Sequence, residues 1–566
     1  MKSEKLEAVI SWALNHGTHI DSSVRFVVAK NGEASAIATS KINDQRTLIS
    51  VPRPIFLTAE NAEQHFNVKT GSSNRSNELL KIYLSKLMFE RNFVDRKLFE
   101  PYLDILPLPN RIFSPYFWTS DDFAALQGTD LALSVKRNFR SLLGAWYVAG
   151  TSANSLRSED RQFYSAASKD PNFNFHQALK RSEELHWQSF EAFLWAHFIL
   201  TSRGFPSIIY EDSPRDVNEA FLLPVIDLLN HANGKKVKWS FSKGENKVNF
   251  STTEMLTSEE ELFNNYGDKS NEELLLNYGF CLNNNTFDVG HLALRFPQEV
   301  LKEIEKFGIK LDPSDITTDS VNFRLQMNGS IPQSLIRVFA YLNKLTSETY
   351  LTNRAVLEGL EQLNGILKQK LQFVKGQKLN SMKSQEAIRF AKTYLQGQKT
   401  IYQQTYDAIP KLEKGLLKAM KPTSFKTILK QDKQFFNSLL ISFGVTDYED
   451  IPKKGFLKQC ILLWLVRAAN ERLNGKIGIE IPHFITECIQ QVADNIVVEK
   501  SDVEEYVDFY KSCFPRLSQQ VPEVFAAGNW GIKQFILAGT VFDRLVWIRP
   551  SSQEPLFIKP EAYESS

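Results

Sequence analysis

Residues 264–280 read NNYGDKSNEELLLNYGF and place Asn-Tyr-Gly twice within a short stretch. Each pair, Tyr266-Gly267 and Tyr278-Gly279, follows a Glu-Leu run that is typical of a short strand or helix. A single tyrosine at such an end usually packs at the core or its rim with a hydrated hydroxyl. A following glycine lets backbone or ligand approach where a Cβ would not, so the repeated pair indicates a site more strongly than either tyrosine alone.

Upstream, LLPVIDLLNHANG (222–234) ends an apolar segment in Asn230 and His231. One interpretation is a helix C-cap followed by a core histidine. The other is an Asn-His pair that presents amide and backbone groups to a heterocycle. In the same region, Asp227 is interpreted as a capping or structural carboxylate, and the acidic stretch TSEEEL (257–262) as a solvated turn.

Hydrophobic periodicity divides the chain into four parts. Residues 24–57 and 220–280 have strand character, whereas 77–200 and the chain beyond 300 show apolar residues at three- and four-residue intervals. This β, α, β, α order is not the regular alternation of a doubly wound sheet. The sequence also lacks GxGxxG, GxxxxGK[ST] and HExxH, so the dinucleotide-binding, P-loop and zincin classes have no support.

Length and composition indicate an ordinary globular protein with two or more domains, at 566 residues, 43% hydrophobic and 23% charged. The four cysteines have no ligand spacing, which argues against a disulfide framework or structural zinc and suits a reducing compartment. The N-terminus has no signal-peptide pattern, and the longest apolar run, Cys460 to Val466, is too short to span a bilayer. We therefore expect a cytoplasmic protein, or a nuclear one, without membrane contact.

The net charge of +2 is unevenly distributed. Residues 366–433 contain 15 Lys/Arg against 4 Asp/Glu, a net charge of +11 that leaves −9 for the remainder. Such a stretch creates a positive field. It is either a solvated surface needed for solubility or a docking face for an acidic protein or for one presented with RNA.

The motif NHANG (230–234) followed by residues 264–280 resembles the C-terminal motif pair of SET-domain lysine methyltransferases. The chain is similar to the Rubisco large-subunit methyltransferase-like branch, which includes fungal enzymes that methylate ribosomal proteins and translation elongation factors. The resemblance implies an α+β fold: a SET-type β fold, interrupted by a helical insert and followed by an all-α C-terminal domain. It implies a SET domain at 1–295, with the insert at about 60–205, and a substrate-binding domain at 296–566.

The resemblance also implies a site for S-adenosylmethionine. NGEASAIATSKI (31–42) is similar to the family's first motif, whose loop backbone holds this cofactor. The matching residues are Gly32, Glu33, Ala34 and Ser35. The arginine of SRGF, Arg203, matches the residue that meets the cofactor carboxylate.

Four further residues match the family's cofactor and lysine sites. Asn230 and His231 match the pair that cradles the adenine and methionine parts. Tyr266 matches the tyrosine near the transferring methyl group, and Tyr278 one that lines the lysine channel. The two tyrosines are therefore the predicted catalytic residues, and Tyr266 also a cofactor contact. No metal site is implied, since the family's zinc-binding cysteines are missing, as they are throughout this branch.

We thus expect a protein-lysine N-methyltransferase that uses S-adenosylmethionine and acts on a translation-machinery protein, an elongation factor or a ribosomal protein. Two alternatives stay open. The imperfect first motif, with Ala34 and Ser35 where small glycines are common, suits a catalytically silent SET-like binding scaffold. A related branch methylates histidine, so a protein-histidine methyltransferase is the other.

Overall fold

The computed structural model of the chain describes residues 3–30, 32–43, 46–70, 75–180, 182–211, 216–317, 319–474 and 480–564. The chain divides into two compact units, Met1–Val289 with Phe373–Thr400 and Gly290–Gln372 with Ile401–Ser566. The domain boundary predicted between residues 295 and 296 stays a prediction, because compactness does not show which parts fold independently. Among the described residues, no helix combines the length and the apolar composition needed to cross a membrane.

The strands of the first unit form three small sheets. They are β1 (His19–Ile20), β2 (Val24–Val28), β3 (Ala34–Ala38), β4 (Ile49–Pro52), β5 (Gly204–Pro206), β6 (Ala220–Leu222), β7 (Val237–Ser242) and β8 (Lys247–Thr252). One antiparallel sheet has the order β1-β4-β8-β7, while β2 pairs with β3 and β5 with β6. Strand β3, of sequence ASAIA, is buried at every residue except the half-buried Ile37, which suits its small apolar composition.

Helices of the first unit precede, interrupt and follow these strands. They are α1 (Ser3–Asn15), α2 (Ala59–Phe66), α3 (Arg75–Phe89), α4 (Arg96–Ile105), α5 (Ser120–Ala124), α6 (Asp130–Ser152), α7 (Ser158–Lys169), α8 (Phe175–Ala178), α9 (Phe190–Arg203) and α10 (Asn271–Tyr278). Because α2 to α9 lie in the chain between β4 and β5, a helical segment interrupts the β fold, as predicted. Helix α9 is buried on most of its surface, as expected from its sequence FEAFLWAHFILTSR.

The stretch around α10 differs from its predicted strand character. Ser270 accepts a hydrogen bond from the Glu273 backbone at 3.2 Å, and the Glu273 carboxylate accepts one from the Ser270 backbone at 2.9 Å. This reciprocal capping box starts α10, which ends at Tyr278. The helix therefore carries the second tyrosine of the repeated motif on its last residue.

The second unit is predominantly helical, and the predicted α+β class is confirmed. Its helices, of which α13 and α14 also contribute to the first unit, are α11 (Gln298–Lys306), α12 (Gln333–Leu342), α13 (Asn353–Gly376), α14 (Gln385–Met420), α15 (Phe425–Gln431), α16 (Lys433–Phe443), α17 (Asp450–Lys453), α18 (Leu457–Asn474), α19 (His483–Asn495), α20 (Lys500–Cys513), α21 (Arg516–Gln520), α22 (Pro522–Phe525) and α23 (Ile532–Leu545). The apolar run of Cys460 to Val466 lies buried in α18, at the centre of the core.

Short strands make the C-terminal half less purely helical than expected. They are β9 (Val289–Arg295), β10 (Ser320–Gln326), β11 (Thr423–Ser424), β12 (Val546–Arg549) and β13 (Glu554–Phe557). Strand β9 pairs with β10, and β13 lies between β11 and β12. The expectation of an all-α C-terminal domain is corrected in this respect, because strands of two to seven residues carry too little periodic signal against long amphipathic helices.

Candidate active site

Three rings of the first unit form one continuous stack. The ring centroids of His231 and Tyr266 lie 4.9 Å apart with planes at 17°, and those of Tyr266 and Tyr278 lie 5.0 Å apart at 13°. All three residues were predicted to belong to the site. The structure therefore brings the Asn-His motif and both tyrosines of the repeated motif into direct contact.

Glycine at position 279 lets the end of α10 lie close to the backbone of Phe113 and Ser114. Gly279 is the left-handed C-cap of α10, with φ at 79°. A Cβ there would lie 3.2 Å from the backbone nitrogen of Ser114, so a larger residue would push α10 away from this segment. The Ser114 hydroxyl also donates to the Leu276 carbonyl at 2.6 Å, which fastens the end of α10.

The hydroxyl of Tyr266 is fixed by the backbone. It donates to the Leu229 carbonyl at 2.7 Å, one residue before the Asn-His pair. Burial raises the pKa of Tyr278 to about 12 and raises that of Tyr266 well above its ordinary value. Both phenols therefore keep their protons near neutral pH, and the Tyr266 oxygen retains its lone pairs as acceptors.

His231 is held as one neutral tautomer. The backbone N–H of Tyr266 donates to its Nδ1 at 3.1 Å, so Nδ1 is unprotonated. The proton then lies on Nε2, which donates to Asn233 Oδ1 at 2.8 Å. Burial lowers the pKa of His231, which keeps the imidazole uncharged at neutral pH.

Asn230 connects its motif to strand β3. Its amide nitrogen donates to the Ala34 carbonyl at 3.1 Å and to Glu261 Oε1 at 2.8 Å. The Ser35 hydroxyl donates to the same Glu261 oxygen at 2.7 Å. Two of the predicted first-motif residues thus share one hydrogen-bond network with the Asn-His pair.

Glu261 is a site residue that the sequence interpretation missed. It lies in TSEEEL, which was predicted as a solvated turn, but its carboxylate accepts from Ser35 and Asn230. The reason is the backbone pairing of this segment with β3, where Glu261 bridges Ile37 and the Leu262 N–H donates to the Ala36 carbonyl at 2.7 Å. A period-two pattern in EEEL was too short to reveal this pairing.

The charged partner of Arg203 in the structure is Asp227. At the end of α9, its guanidinium donates to the Asp227 backbone carbonyl at 3.0 Å and lies 3.5 Å from the Asp227 carboxylate. Tyr102 donates to the same carboxylate at 2.7 Å. Burial raises the pKa of Asp227, and Arg203 opposes that shift. The side chain of Arg203 stays 21% exposed, so the predicted contact with a ligand carboxylate stays a prediction.

The remaining first-motif residues lie in the β2-β3 hairpin. Gly32 takes a φ of 82° in its turn, and its N–H donates to the Ala29 carbonyl at 2.8 Å. The carboxylates of Glu33 and Asp227 both contribute to the raised pKa of Tyr266, after the larger effect of burial. Glu33 is therefore near enough to act electrostatically on the ring stack.

Comparison with known proteins places this site in a context. The family model described as the EFM1 middle domain matches residues 289–420. The chain is 37% identical over 585 aligned residues to the protein-lysine N-methyltransferase EFM1 of Saccharomyces cerevisiae, covering 99% of both chains. It is 28% identical to ribosomal lysine N-methyltransferase 1 of the same yeast, covering 82% of this chain and 87% of the relative.

A solved structure shares the fold. The structure of Rubisco LSMT bound to AdoMet aligns with a TM-score of 0.54 at 16% identity, and the alignment covers 73% of this chain and 93% of that one. At this identity the likeness concerns the fold alone.

Proposed function

The chain belongs to the family of protein-lysine N-methyltransferases that includes EFM1, and from this premise we propose that it methylates a lysine of a translation-machinery protein. Its cofactor is S-adenosylmethionine and its substrates are proteins. Family membership favours an enzyme over a silent scaffold, and lysine over histidine as the acceptor. The observation that carries the proposal is the stack of His231, Tyr266 and Tyr278.

The residues around the stack suit a bound sulfonium cation. Tyr278, at one end of the stack, is an uncharged aromatic ring, and such a surface attracts cations electrostatically. Of the charges near Tyr266, Arg203 acts most strongly and is paired with Asp227, while Glu33 adds negative potential. S-adenosylmethionine supplies a methyl group on a sulfonium, which an amine accepts by in-line displacement.

Asn230 would shape the cofactor site more than donate to it. Its amide hydrogens are used on the Ala34 carbonyl and on Glu261, so the side chain holds β3 against the Asn-His segment. Gly32, Glu33, Ala34 and Ser35 would then offer backbone groups at a fixed distance from His231. Arg203 would use the exposed part of its guanidinium for the carboxylate of the cofactor.

Tyr266 would stabilise the methyl group in transfer. Because its proton is donated to Leu229, the phenol oxygen can accept the polarised C–H groups of a methyl in flight. Such contacts are weak individually, and they act on rate where they strengthen in the transition state. Because the hydroxyl is already fixed, it does not have to reorient when the transition state forms.

The substrate lysine must lose its proton before it attacks. A free lysine has a pKa of about 10.4, and an apolar aromatic channel beside a sulfonium disfavours the ammonium form. Tyr278 would form a wall of that channel. Its half-buried ring is stacked on Tyr266, and it contacts Phe280 edge-on at 6.3 Å between centroids.

The substrate class follows from the relatives. One is named EFM1 and another a ribosomal lysine N-methyltransferase, so an elongation factor or a ribosomal protein is the substrate we propose. Such a target would put the enzyme in the cytoplasm.

A basic face on α14 would help to dock this substrate. The predicted basic stretch of 366–433 falls in both compact units, and its part in the first unit, 373–400, has six basic residues and one acidic one. Exposed cations on α14 in this part are Arg389, Lys392 and Lys399, whereas Ala391 and Leu395 on its other face are buried. An acidic or RNA-bound partner would complement this face.

Two assays test the proposal together. Calorimetry should show saturable binding of S-adenosylmethionine, which a scaffold need not have. Incubation with labelled cofactor and a lysate of Saccharomyces cerevisiae cells that lack EFM1 should label a translation-machinery protein. Binding without any labelled protein would contradict the proposed function.

A further inference from the structure

A chain of side-chain amides connects the ring stack to the start of α10. His231 Nε2 donates to Asn233, the Asn233 amide donates to Asn285 Oδ1 at 3.0 Å, and the Asn285 amide lies 3.4 Å from Asp288 Oδ1. Asn285 also donates to the Lys269 carbonyl at 2.8 Å, just before α10. The two ends of the stack, His231 and the helix that carries Tyr278, are thus joined by a second route that bypasses the rings.

Asp288 holds the first residue of α10. Its Oδ1 accepts from the Asn271 backbone N–H, and its Oδ2 accepts from the Asn271 side-chain amide at 2.8 Å. A carboxylate at a helix N-terminus interacts favourably with the helix dipole. Asn271 in turn exchanges hydrogen bonds with the Leu282 backbone at 2.7 and 2.9 Å. The helix start is therefore tied to the segment that follows Tyr278.

The same carboxylate packs against a glycine of α14. A Cβ at Gly397 would lie 2.3 Å from Asp288 Oδ2, so no other residue fits without moving the carboxylate. Glycine in a helix interior is less favourable than alanine. Helix α14 therefore has a less favourable residue at the position that contacts Asp288.

Burying these polar side chains is an unfavourable way to stabilise the fold. Asn271, Asn285 and Asp288 are each at most 3% exposed. Among the described residues, no Lys, Arg or His lies within ion-pair distance of Asp288, and a buried carboxylate without a cation carries a large desolvation cost. An apolar contact would hold α10 in place at a lower cost in folding free energy. It would not, however, fix the direction of the hydrogen bonds that reach His231.

We propose that Asp288 and Asn285 are positioning residues for methyl transfer. Through α10 they hold Tyr278 in register with Tyr266, and through Asn233 they keep the proton of His231 on Nε2. Neither residue touches the reacting atoms, so both act through residues that do. The inference rests on the proposed roles of the two tyrosines.

Three variants separate this role from simple stability. Asp288→Asn replaces an acceptor by an amide that faces the Asn271 amide, Asn285→Ala interrupts the chain, and Gly397→Ala pushes on the carboxylate from α14. The matched control is Asp122→Asn. Asp122 is a buried carboxylate of the same unit that accepts from the Lys383 backbone at 2.6 Å, far from the ring stack in the hydrogen-bond network.

Hydrogen exchange and kinetics are then measured on each full-length variant. Amides of α10 should exchange faster in the three variants than in wild type, and those of α9 should not. The substrate for these kinetics is the yeast protein identified by labelling. The kcat of the three variants should fall by roughly 10- to 100-fold, because small misplacements of reacting groups have effects of this size. The Kd for S-adenosylmethionine should rise much less than kcat falls, since His231 is the one proposed cofactor residue that these variants reach through the hydrogen bonds.

Several results would overturn the inference. One is unchanged exchange of the α10 amides in the variants that fold. Another is a lower melting temperature with unchanged kcat, as expected for Asp122→Asn. If Asp288→Asn does not fold, hydrogen exchange and kcat of Gly397→Ala and Asn285→Ala test the inference instead. Absence of transfer by wild type would instead refute the proposed function, while the exchange result would still decide whether Asp288 positions α10.

Discussion

The ring of Tyr266 stacks on that of Tyr278 at a centroid distance of 5.0 Å, and the Tyr266 hydroxyl donates to a backbone carbonyl. One tyrosine follows an extended segment beside the Asn-His pair, and the other ends a capped helix. Two different local structures therefore converge to form one aromatic wall. This convergence accounts for the two tyrosines of the repeated motif, and Gly279 allows the end of α10 to approach the backbone of Phe113 and Ser114.

Replacing Tyr266 by Phe should reduce turnover much more than cofactor binding. The ring and its stacking remain, but the oxygen that would contact the methyl group in the transition state is lost. We expect kcat to fall at least about 10-fold while the Kd for S-adenosylmethionine stays within about 2-fold. Steady-state kinetics and calorimetry on the same preparation measure both.

Tyr83→Phe is the matched control for this substitution. Tyr83 is also buried and donates its hydroxyl to Asp95 at 3.0 Å, but it lies in the helical insert. This variant should lose stability and keep its kcat. Equal turnover of wild type and Tyr266→Phe would show that the hydroxyl has no part in transfer.

Asn230→Ala should weaken cofactor binding. It leaves the Ala34 carbonyl without this donor and Glu261 with the Ser35 hydroxyl alone, and an unpaired buried group costs about 1 to 3 kcal/mol. Glu261→Gln is the companion variant, because its amide oxygen can still accept from Ser35 and Asn230. Calorimetry should show a large loss of affinity for S-adenosylmethionine in Asn230→Ala and a small loss in Glu261→Gln. Wild-type affinity in a folded Asn230→Ala protein would refute this assignment.

Charge reversal on α14 should slow methylation of a whole protein but not of a peptide. The variant carries Arg389→Glu, Lys392→Glu and Lys399→Glu, and it spares Lys383, which pairs with Asp121 at 2.7 Å. Exposed charges act mainly on association rate and are screened over about 8 Å at physiological salt. We expect a lower kcat/KM on the whole substrate, most clearly at low salt.

A control for this variant reverses three exposed lysines elsewhere in the first unit: Lys41, Lys97 and Lys169. It changes the net charge equally and should leave kcat/KM nearly unchanged. If both triple variants behave alike, the basic face of α14 serves solubility only.

The stability contribution of Asp288 should depend on pH. Burial raises its pKa to about 6, above the ordinary value near 3.8, with Asn271 opposing. The folded state thus binds its proton more tightly than the unfolded state does. The contribution is fully present below about pH 4 and is lost as the pH rises through about 6.

Asp288→Asn removes this dependence. Relative to wild type, the variant should gain about 2 to 3 kcal/mol in unfolding free energy between pH 4 and pH 7, because folding raises the pKa of Asp288 from 3.8 to about 6. The thiol of Cys281 is a titratable neighbour whose pKa is raised by burial and, to a smaller extent, by Asp288, so it stays protonated throughout this range. Parallel pH dependence of wild type and variant would show that Asp288 does not titrate here.

Much of the fold was predictable from periodicity. The order of β, helical insert, β and helical tail follows from residues 24–57, 77–200 and the chain beyond 300. Helix α10 was ambiguous, although Ser270 and Glu273 at capping-box spacing are the signal that would have identified it. Strands β9 and β10 were missed although each has seven residues, because β9 lies between the stretches assigned by periodicity and β10 lies in the part beyond residue 300 that long amphipathic helices dominate.

The site was predictable where motifs carry it and not where the contacts are long-range. Tyr266, Tyr278 and His231 lie together as expected. Glu261 was missed because its partner Ser35 is 226 residues away in the chain, and an acidic triplet alone indicates solvent. For the same reason, nothing in the sequence marks Asp288 as the acceptor for the first turn of α10.

The most direct test locates the transferred methyl group. Wild type is incubated with S-adenosylmethionine that carries a deuterated methyl group and with the lysate of yeast cells that lack EFM1, and the modified peptides are sequenced by mass spectrometry. We predict deuterated methyl on a lysine Nζ of an elongation factor or ribosomal protein, and its loss with Tyr266→Phe. Deuterated methyl on a histidine ring, or none on any protein while the cofactor binds saturably, would contradict a lysine methyltransferase built on this ring stack.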